Sequence, residues 1–150
     1  MIAYGTPIGA DLEAAERDWT ERRLAGLDTK AGVLYRVEAV SYSYVVDADR
    51  EEYGSTDPRL ELFGYIVERW TPCGATLAHS WSGARRRWVN LDPGAKQWAS
   101  RTCREAIEQF KRRRQGQLHI LARQTRRAER ELDLALCALG EKQLLGGHEL

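Results

Sequence analysis

The chain has 150 residues, of which 43% are hydrophobic and 30% are charged, a composition typical of one globular domain and unlike that of a disordered protein. No apolar run approaches the roughly 20 residues that cross a bilayer, and the first residues lack the basic and apolar parts of a secretory signal, so membrane insertion and secretion are disfavoured. A net charge of +1 hides −6 over residues 1–58 and +8 over residues 59–139. This separation of negative and positive charge along the chain favours charged partners.

The first third of the sequence predicts a helix, a strand and a loop. A short helix is expected from about Asp11 to Leu27, because Asp11 can cap the first amides and apolar residues recur at helical spacing. From Val33 to Val46 the residues are β-branched and aromatic with period two, which predicts a long strand, bent near residues 39–43. Asp47–Pro58 is polar, acidic and rich in turn residues, and we expect an exposed loop there without a metal site.

The middle of the chain predicts strands joined by tight turns. Proline or glycine marks the turns at Thr71–Gly74, Ser82–Ala84 and Asp92–Gly94. The strands are expected at Leu60–Trp70, Ala75–Trp81, Arg86–Leu91 and Gln97–Ala99. Strands connected by such short turns pair as antiparallel neighbours, so the pattern predicts a β-meander.

A long helix is predicted over residues 103–139. Thr102 and Glu105 have the spacing of a capping box, and Gly140 ends the apolar periodicity. At 1.5 Å per residue this helix is roughly 55 Å long. The fold class is therefore α+β: an antiparallel β-meander of four or five strands, a short N-terminal helix and a long C-terminal helix. We expect a single domain over residues 1–139 and a flexible tail over 140–150.

One face of the long helix is apolar in a heptad pattern, which we call the seam. Arg114 interrupts it one turn before its first leucine. Two interpretations stay open: the seam packs on the N-terminal helix, or it pairs with a second copy in a homodimer. The seam consists of Leu118, Leu121, Thr125, Ala128, Leu132, Ala135 and Leu139.

The opposite face of the same helix is rich in arginine, and we call it the basic stripe. At 100° per residue its side chains fall in a sector about 100° wide and roughly 27 Å long. Arginine binds phosphate bidentately, so the stripe predicts a site for nucleic acid or another anionic partner; the alternative is a solvated helix face. Its arginines are Arg112, Arg123, Arg126, Arg127 and Arg130.

A second candidate site combines arginine with tryptophan on the predicted sheet. Arg86 and Trp88 alternate on one strand, with Trp70 and Trp98 on its neighbours. Such a surface can stack on a nucleotide or a single strand. The alternative is tryptophan packed in the core with arginine stems across its rim.

The sequence predicts neither an enzyme nor a metal or cofactor site. Its three histidines are far apart, and no nucleophile, zinc or phosphate-loop motif occurs. Cys73, Cys103 and Cys137 form no CxxC pair, so we expect three free thiols in a protein of the bacterial cytoplasm.

The order Trp70-Thr71-Pro72-x-Gly74, Arg87-Trp88-Val89, Trp98-Ala99 and Thr102-x-x-Glu105, followed by an arginine-rich helix, resembles small uncharacterised proteins of bacteriophages and prophages. The resemblance covers about residues 33–139. It implies a phage accessory origin. We expect a non-enzymatic protein that binds and inhibits a host defence or regulatory complex, with its basic helix occupying an anionic or nucleic-acid-binding surface. A direct nucleic-acid or nucleotide-binding module and a structural subunit of a virion are the alternatives.

Overall fold

The computed structural model describes residues 5–47, 49–78 and 86–140. They form an α+β fold with a short N-terminal helix, a long C-terminal helix and antiparallel sheets, which confirms the predicted class. The helices are α1, Leu12–Asp18, and α2, Cys103–Leu139. The strands are β1 Thr6–Pro7, β2 Val33–Val40, β3 Ser43–Asp47, β4 Glu52–Ser55, β5 Arg59–Thr71, β6 Gly74–Leu77 and β7 Arg87–Asn90.

The N-terminal helix begins where its cap predicts and changes form before its expected end. The carboxylate of Asp11 accepts a hydrogen bond from the amide of Ala14 at 3.0 Å. After α1 the chain continues as a π-helical turn, Trp19–Arg23, so the helical segment ends before the predicted Leu27. The wider turn places Trp19 in the core, where it is almost fully buried.

The main sheet is built around β5, the longest strand. β2 pairs with β5 from Val33 opposite Ile66 to Val40 opposite Arg59, and β6 pairs with its second half. β7 continues the sheet beyond β6, and β1 pairs with residues 61–62. Every pairing is antiparallel. The sheet is a meander from β5 to β7, and a separate hairpin lies between β2 and β5 in the sequence.

That hairpin corrects the predicted loop over Asp47–Pro58. β3 and β4 form a two-stranded sheet with Tyr44 opposite Gly54. A Cβ atom at Gly54 would lie 2.5 Å from the Tyr44 ring, so the ring covers the glycine backbone. This cross-strand packing outweighs the turn propensity of the segment. The predicted strand Val33–Val46 is accordingly divided into β2 and β3 near the expected bend.

One other predicted element differs from the structure, and some predictions fall outside the described residues. Gln97–Ala99 forms no strand; Ser100 alone makes an isolated bridge with Tyr35, through two backbone hydrogen bonds of 2.7 Å. The turn Ser82–Ala84 and the end of the strand predicted for Ala75–Trp81 lie outside the described residues. The same is true of the predicted tail beyond Gly140.

The sheet carries one apolar cluster against the helices and a second one built from β2, β5, β6 and β7. The first joins Trp19, Tyr35 and Leu62 to Cys103 and Ala106 in the first turns of α2. The second contains Leu34, Val67, Ala75, Leu77, Val89 and Ala99. Among the described residues, those up to Lys111 belong to one compact unit and those from Arg112 to Gly140 belong to another.

The start of α2 is held by three side chains. The Thr102 hydroxyl accepts a hydrogen bond from the amide of Glu105 at 3.2 Å, as the capping box predicts. The Glu105 carboxylate accepts from the amide of Arg101 at 3.0 Å, and Glu16 of α1 accepts from the amide of Cys103. These bonds satisfy free amides at the helix N-terminus, and the carboxylates complement its dipole.

Candidate functional site: the two faces of the long helix

The five arginines of the basic stripe all lie on α2 and are all exposed. Helical periodicity places them on one face because they recur at intervals of three, four, seven and eleven residues. Arg127 pairs with Glu131, with 2.7 Å between Nε and Oε1. Within the described ranges of the chain, Arg112, Arg123, Arg126 and Arg130 form no ion pair. The stripe therefore presents uncompensated guanidinium groups to solvent.

The seam on the other face of α2 is also exposed. The leucines at its two ends, Leu118 and Leu139, are 65% and 69% exposed, and Leu121 and Leu132 are 47% and 60% exposed. Thr125, Ala128 and Ala135 between them are exposed as well. A row of exposed leucines at heptad spacing is typical of a surface that binds another helix.

The predicted Arg86–Trp88 site is only partly available to a ligand. Arg86 forms an ion pair with Glu68, with 2.7 Å between Nη2 and Oε1. Trp88 is 51% exposed, and its indole nitrogen donates a hydrogen bond to the Thr71 hydroxyl at 3.2 Å. The indole of Trp88 can therefore offer part of its surface for stacking, while the Arg86 guanidinium is already paired. These two residues belong to the unit that ends at Lys111, and the stripe belongs to the other.

A stack around Trp98 was missed by the sequence-based prediction of this site. The guanidinium carbons of Arg36 and Arg87 lie 4.6 and 4.4 Å from the ring centre of Trp98. Tyr65 meets the same ring edge-on at a centroid distance of 4.8 Å. The alternation of β7 does place Arg87 on the face of buried Val89, which is the signal for this packing. Because protein guanidinium groups already lie on Trp98, its ring is not open to a nucleotide base.

An open cleft of about 650 Å³ lies between α1 and the start of α2. Glu16, Tyr35 and Arg104 line it, but Glu16 already accepts the Cys103 amide, and the Tyr35 hydroxyl lies 3.4 Å from that of Thr20. Burial raises the pKa of Tyr35, so its hydroxyl stays protonated near neutral pH.

The three thiols differ in exposure, and the buried one has a shifted pKa. Cys73, Cys103 and Cys137 are free, as predicted, and Cys103 is buried while the other two are exposed. Burial, with a smaller effect of nearby Glu16, raises the pKa of Cys103 to about 11, so this thiol is a poor nucleophile at neutral pH. Within residues 5–47, 49–78 and 86–140, no three histidine, cysteine or acidic side chains are grouped to hold a metal ion.

No family model, no curated protein and no solved structure matches the chain significantly. Neither α1 nor α2 is long and apolar enough to cross a membrane. The basic stripe and the seam of α2 are therefore the features on which a function can be argued.

Proposed function

We propose that this protein is a non-enzymatic binding protein that holds nucleic acid by its phosphates through the basic stripe of α2. The observation that supports the proposal is a helix face whose charged side chains between Arg112 and Arg130 are all positive and all exposed. Arg127 alone among the stripe arginines has an ion-pair partner in the described part of the chain. A stripe built for solubility alone would alternate both signs of charge.

The dimensions of the stripe suit a nucleic-acid backbone. Eighteen residues separate Arg112 from Arg130, which is about 27 Å of helix, and one DNA strand spaces its phosphates about 3.4 Å apart along the duplex axis. Several phosphates therefore fall within reach of the five guanidinium groups. Contacts of this kind give affinity without sequence specificity, because they do not read the base edges.

The test is fluorescence anisotropy with a labelled DNA duplex of about 20 base pairs and the corresponding single strand. Affinity should fall steeply between about 50 and 200 mM salt, because each phosphate contact releases bound counterions. Replacing three stripe arginines by alanine should lower the slope of log K against log salt on the duplex by about 3. The variant is Arg123→Ala, Arg126→Ala, Arg130→Ala.

A matched control removes the same charge from the other unit of the chain. Arg17, Arg22 and Arg50 are exposed and each forms an ion pair there, so their replacement by alanine leaves the stripe intact. We expect this control to keep most of the salt slope. Equal losses in both triple variants would reduce the proposal to an effect of net charge, and absence of binding at about 50 mM salt would refute it.

We further propose that the protein is a homodimer through the seam and resides in the cytoplasm of a bacterial host. The exposed leucines of α2 support the first statement, and three free thiols support the second. Inhibition of a host defence or regulatory complex, and a structural role in a virion, stay predictions because no relative is found that indicates a phage origin.

A further inference from the structure

We propose that two copies of the chain pair through the seam as antiparallel helices, with Leu118 of one copy opposite Ala135 of the partner subunit. In this register Leu121 faces Leu132 of the partner subunit, and Thr125 faces Ala128 of the partner subunit. The inference rests on the homodimer proposed above and adds its orientation. It does not depend on nucleic-acid binding.

The distribution of charge along α2 favours the antiparallel orientation. From Lys111 to Arg130 the helix carries eight basic side chains and one acidic side chain, whereas Glu131–Leu139 carries two acidic side chains and no basic one. A parallel pair would place the two basic stretches side by side along their whole length. An antiparallel pair brings the acidic segment Glu131–Leu139 level with residues 114–122 of the partner subunit, which include the seam residue Arg114. Segments of opposite charge then lie level with each other along the pair.

The sizes of the seam residues favour the same orientation. In a parallel pair, Ala128 and Ala135 would each face their own copy, and these two layers would contain little side-chain volume. Thr125 would also face a second hydroxyl. In the antiparallel register, Ala135 receives Leu118 of the partner subunit, so a large side chain fills the space beside a small one. Cores packed in this way avoid the cavities that destabilise helix pairs.

The ends of the helix provide a third argument. The last turn of α2 contains no basic residue to complement the negative end of its dipole. The antiparallel register brings Arg114 level with Leu139 of the partner subunit, where a cation is favoured. It also accounts for an arginine at a seam position, since a parallel pair would bring two Arg114 side chains face to face. The basic stripe lies on the other side of α2 and stays exposed in the pair.

Pulsed electron paramagnetic resonance with spin labels distinguishes the two orientations in the absence of nucleic acid. In a Cys73→Ser variant, Cys137 is the exposed thiol and Cys103 is buried, so the label attaches to Cys137. In the antiparallel register, Cys137 of one copy is level with residue 116 of the partner subunit. The labelled residue 137 of the partner subunit lies 21 residues further along that helix, so the two labels are separated by about 32 Å along the axis. In a parallel pair the two labels would be level.

A second label position serves as the matched control. This second label is attached to an Arg123→Cys variant in which Cys73→Ser and Cys137→Ser remove the other exposed thiols. Residue 123 lies on the same outer face of α2 as residue 137. Residue 123 of one copy is level with residue 130 of the partner subunit. The labelled residue 123 of the partner subunit lies seven residues from there, so the two labels are about 10 Å apart along the axis. We expect a clearly longer distance for Cys137 than for the label at 123, because the two axial separations differ by about 20 Å and the lateral separations are similar. Equal distances at the two positions, or light scattering at the 17.1 kDa mass of one chain, would overturn the proposal.

Discussion

Replacing Gly64 by alanine should strongly destabilise the unit that contains the sheet. Gly64 lies in β5 beneath the indole of Trp19, and a Cβ atom there would lie 2.2 Å from its Nε1 and 2.3 Å from its Cδ1. Nonbonded atoms in cores normally lie about 3.5–4.0 Å apart, so the ring would have to move by more than about 1 Å. Trp19 is almost fully buried and meets Phe63 at a centroid distance of 5.8 Å, so space for this movement is small.

The expected change in the free energy of unfolding is the difference between two opposing effects of the added methyl group. Overpacking of a core costs about 1–3 kcal/mol, and an overlap of this size belongs at the upper end. Loss of glycine flexibility in the unfolded chain offsets about 0.4–1 kcal/mol. We therefore expect Gly64→Ala to lower the free energy of unfolding by about 2 kcal/mol, which corresponds to a decrease in Tm of roughly 10 °C for a domain of about 100 residues.

Urea unfolding followed by circular dichroism measures this loss, and Gly9→Ala is the matched control because no atom lies within 4 Å of its Cβ position. A double-mutant cycle with Trp19→Leu isolates the overlap. The double variant should be more stable than the sum of the two single losses predicts, by at least about 1 kcal/mol. A Gly64→Ala protein within about 0.5 kcal/mol of the parent, or strict additivity in the cycle, would refute this account of the core.

Gly116→Ala should raise the helicity and the stability of α2, by about 1 kcal/mol in a thermal scan, because Gly116 is helical and a methyl group there meets nothing. Glu61→Ala should cost about 3 kcal/mol in urea unfolding, since this buried carboxylate accepts hydrogen bonds from the Tyr42 hydroxyl and the Gly5 amide. The free energy of unfolding should fall between about pH 9 and 11, because the Cys103 thiol has a pKa of about 11 in the folded protein and near 9.0 in the unfolded chain. Ionisation of the unfolded thiol then favours unfolding as the pH rises. The decrease should be smaller in Cys103→Ala. An unchanged pH profile in Cys103→Ala would contradict that assignment.

The helices of this protein could be read from the sequence because their signals are local. Asp11 and the Thr102–Glu105 pair cap the residues next to them, and the heptad period of α2 continues from residue 118 to 139 with Thr125 as its one polar member. The observed bounds Cys103–Leu139 match the predicted 103–139. The basic stripe follows from the same periodicity, since a helix fixes which residues share a face.

The β3–β4 hairpin and the surroundings of Trp98 could not be predicted in the same way. Both depend on pairs of residues that are distant in sequence. Turn-forming residues between Asp47 and Pro58 predict a loop, but the packing of Tyr44 on Gly54 is decided by the register of two strands. Arg36 and Arg87 meet at Trp98 because three separate segments converge there. The alternation of β7 indicates the face on which Arg87 lies, but it does not identify Trp98 as the residue that Arg87 contacts.

The fold class, the bounds of the long helix and the opposite chemistry of its two faces follow from the order of residues alone, because they depend on composition and on helical period. Folding sets which predicted groups are available to a ligand. It paired Arg86 with Glu68, covered Trp98 with two guanidinium groups and left the arginines and leucines of α2 exposed. Exposure and pairing result from contacts between distant residues, so they become visible only when the chain is folded.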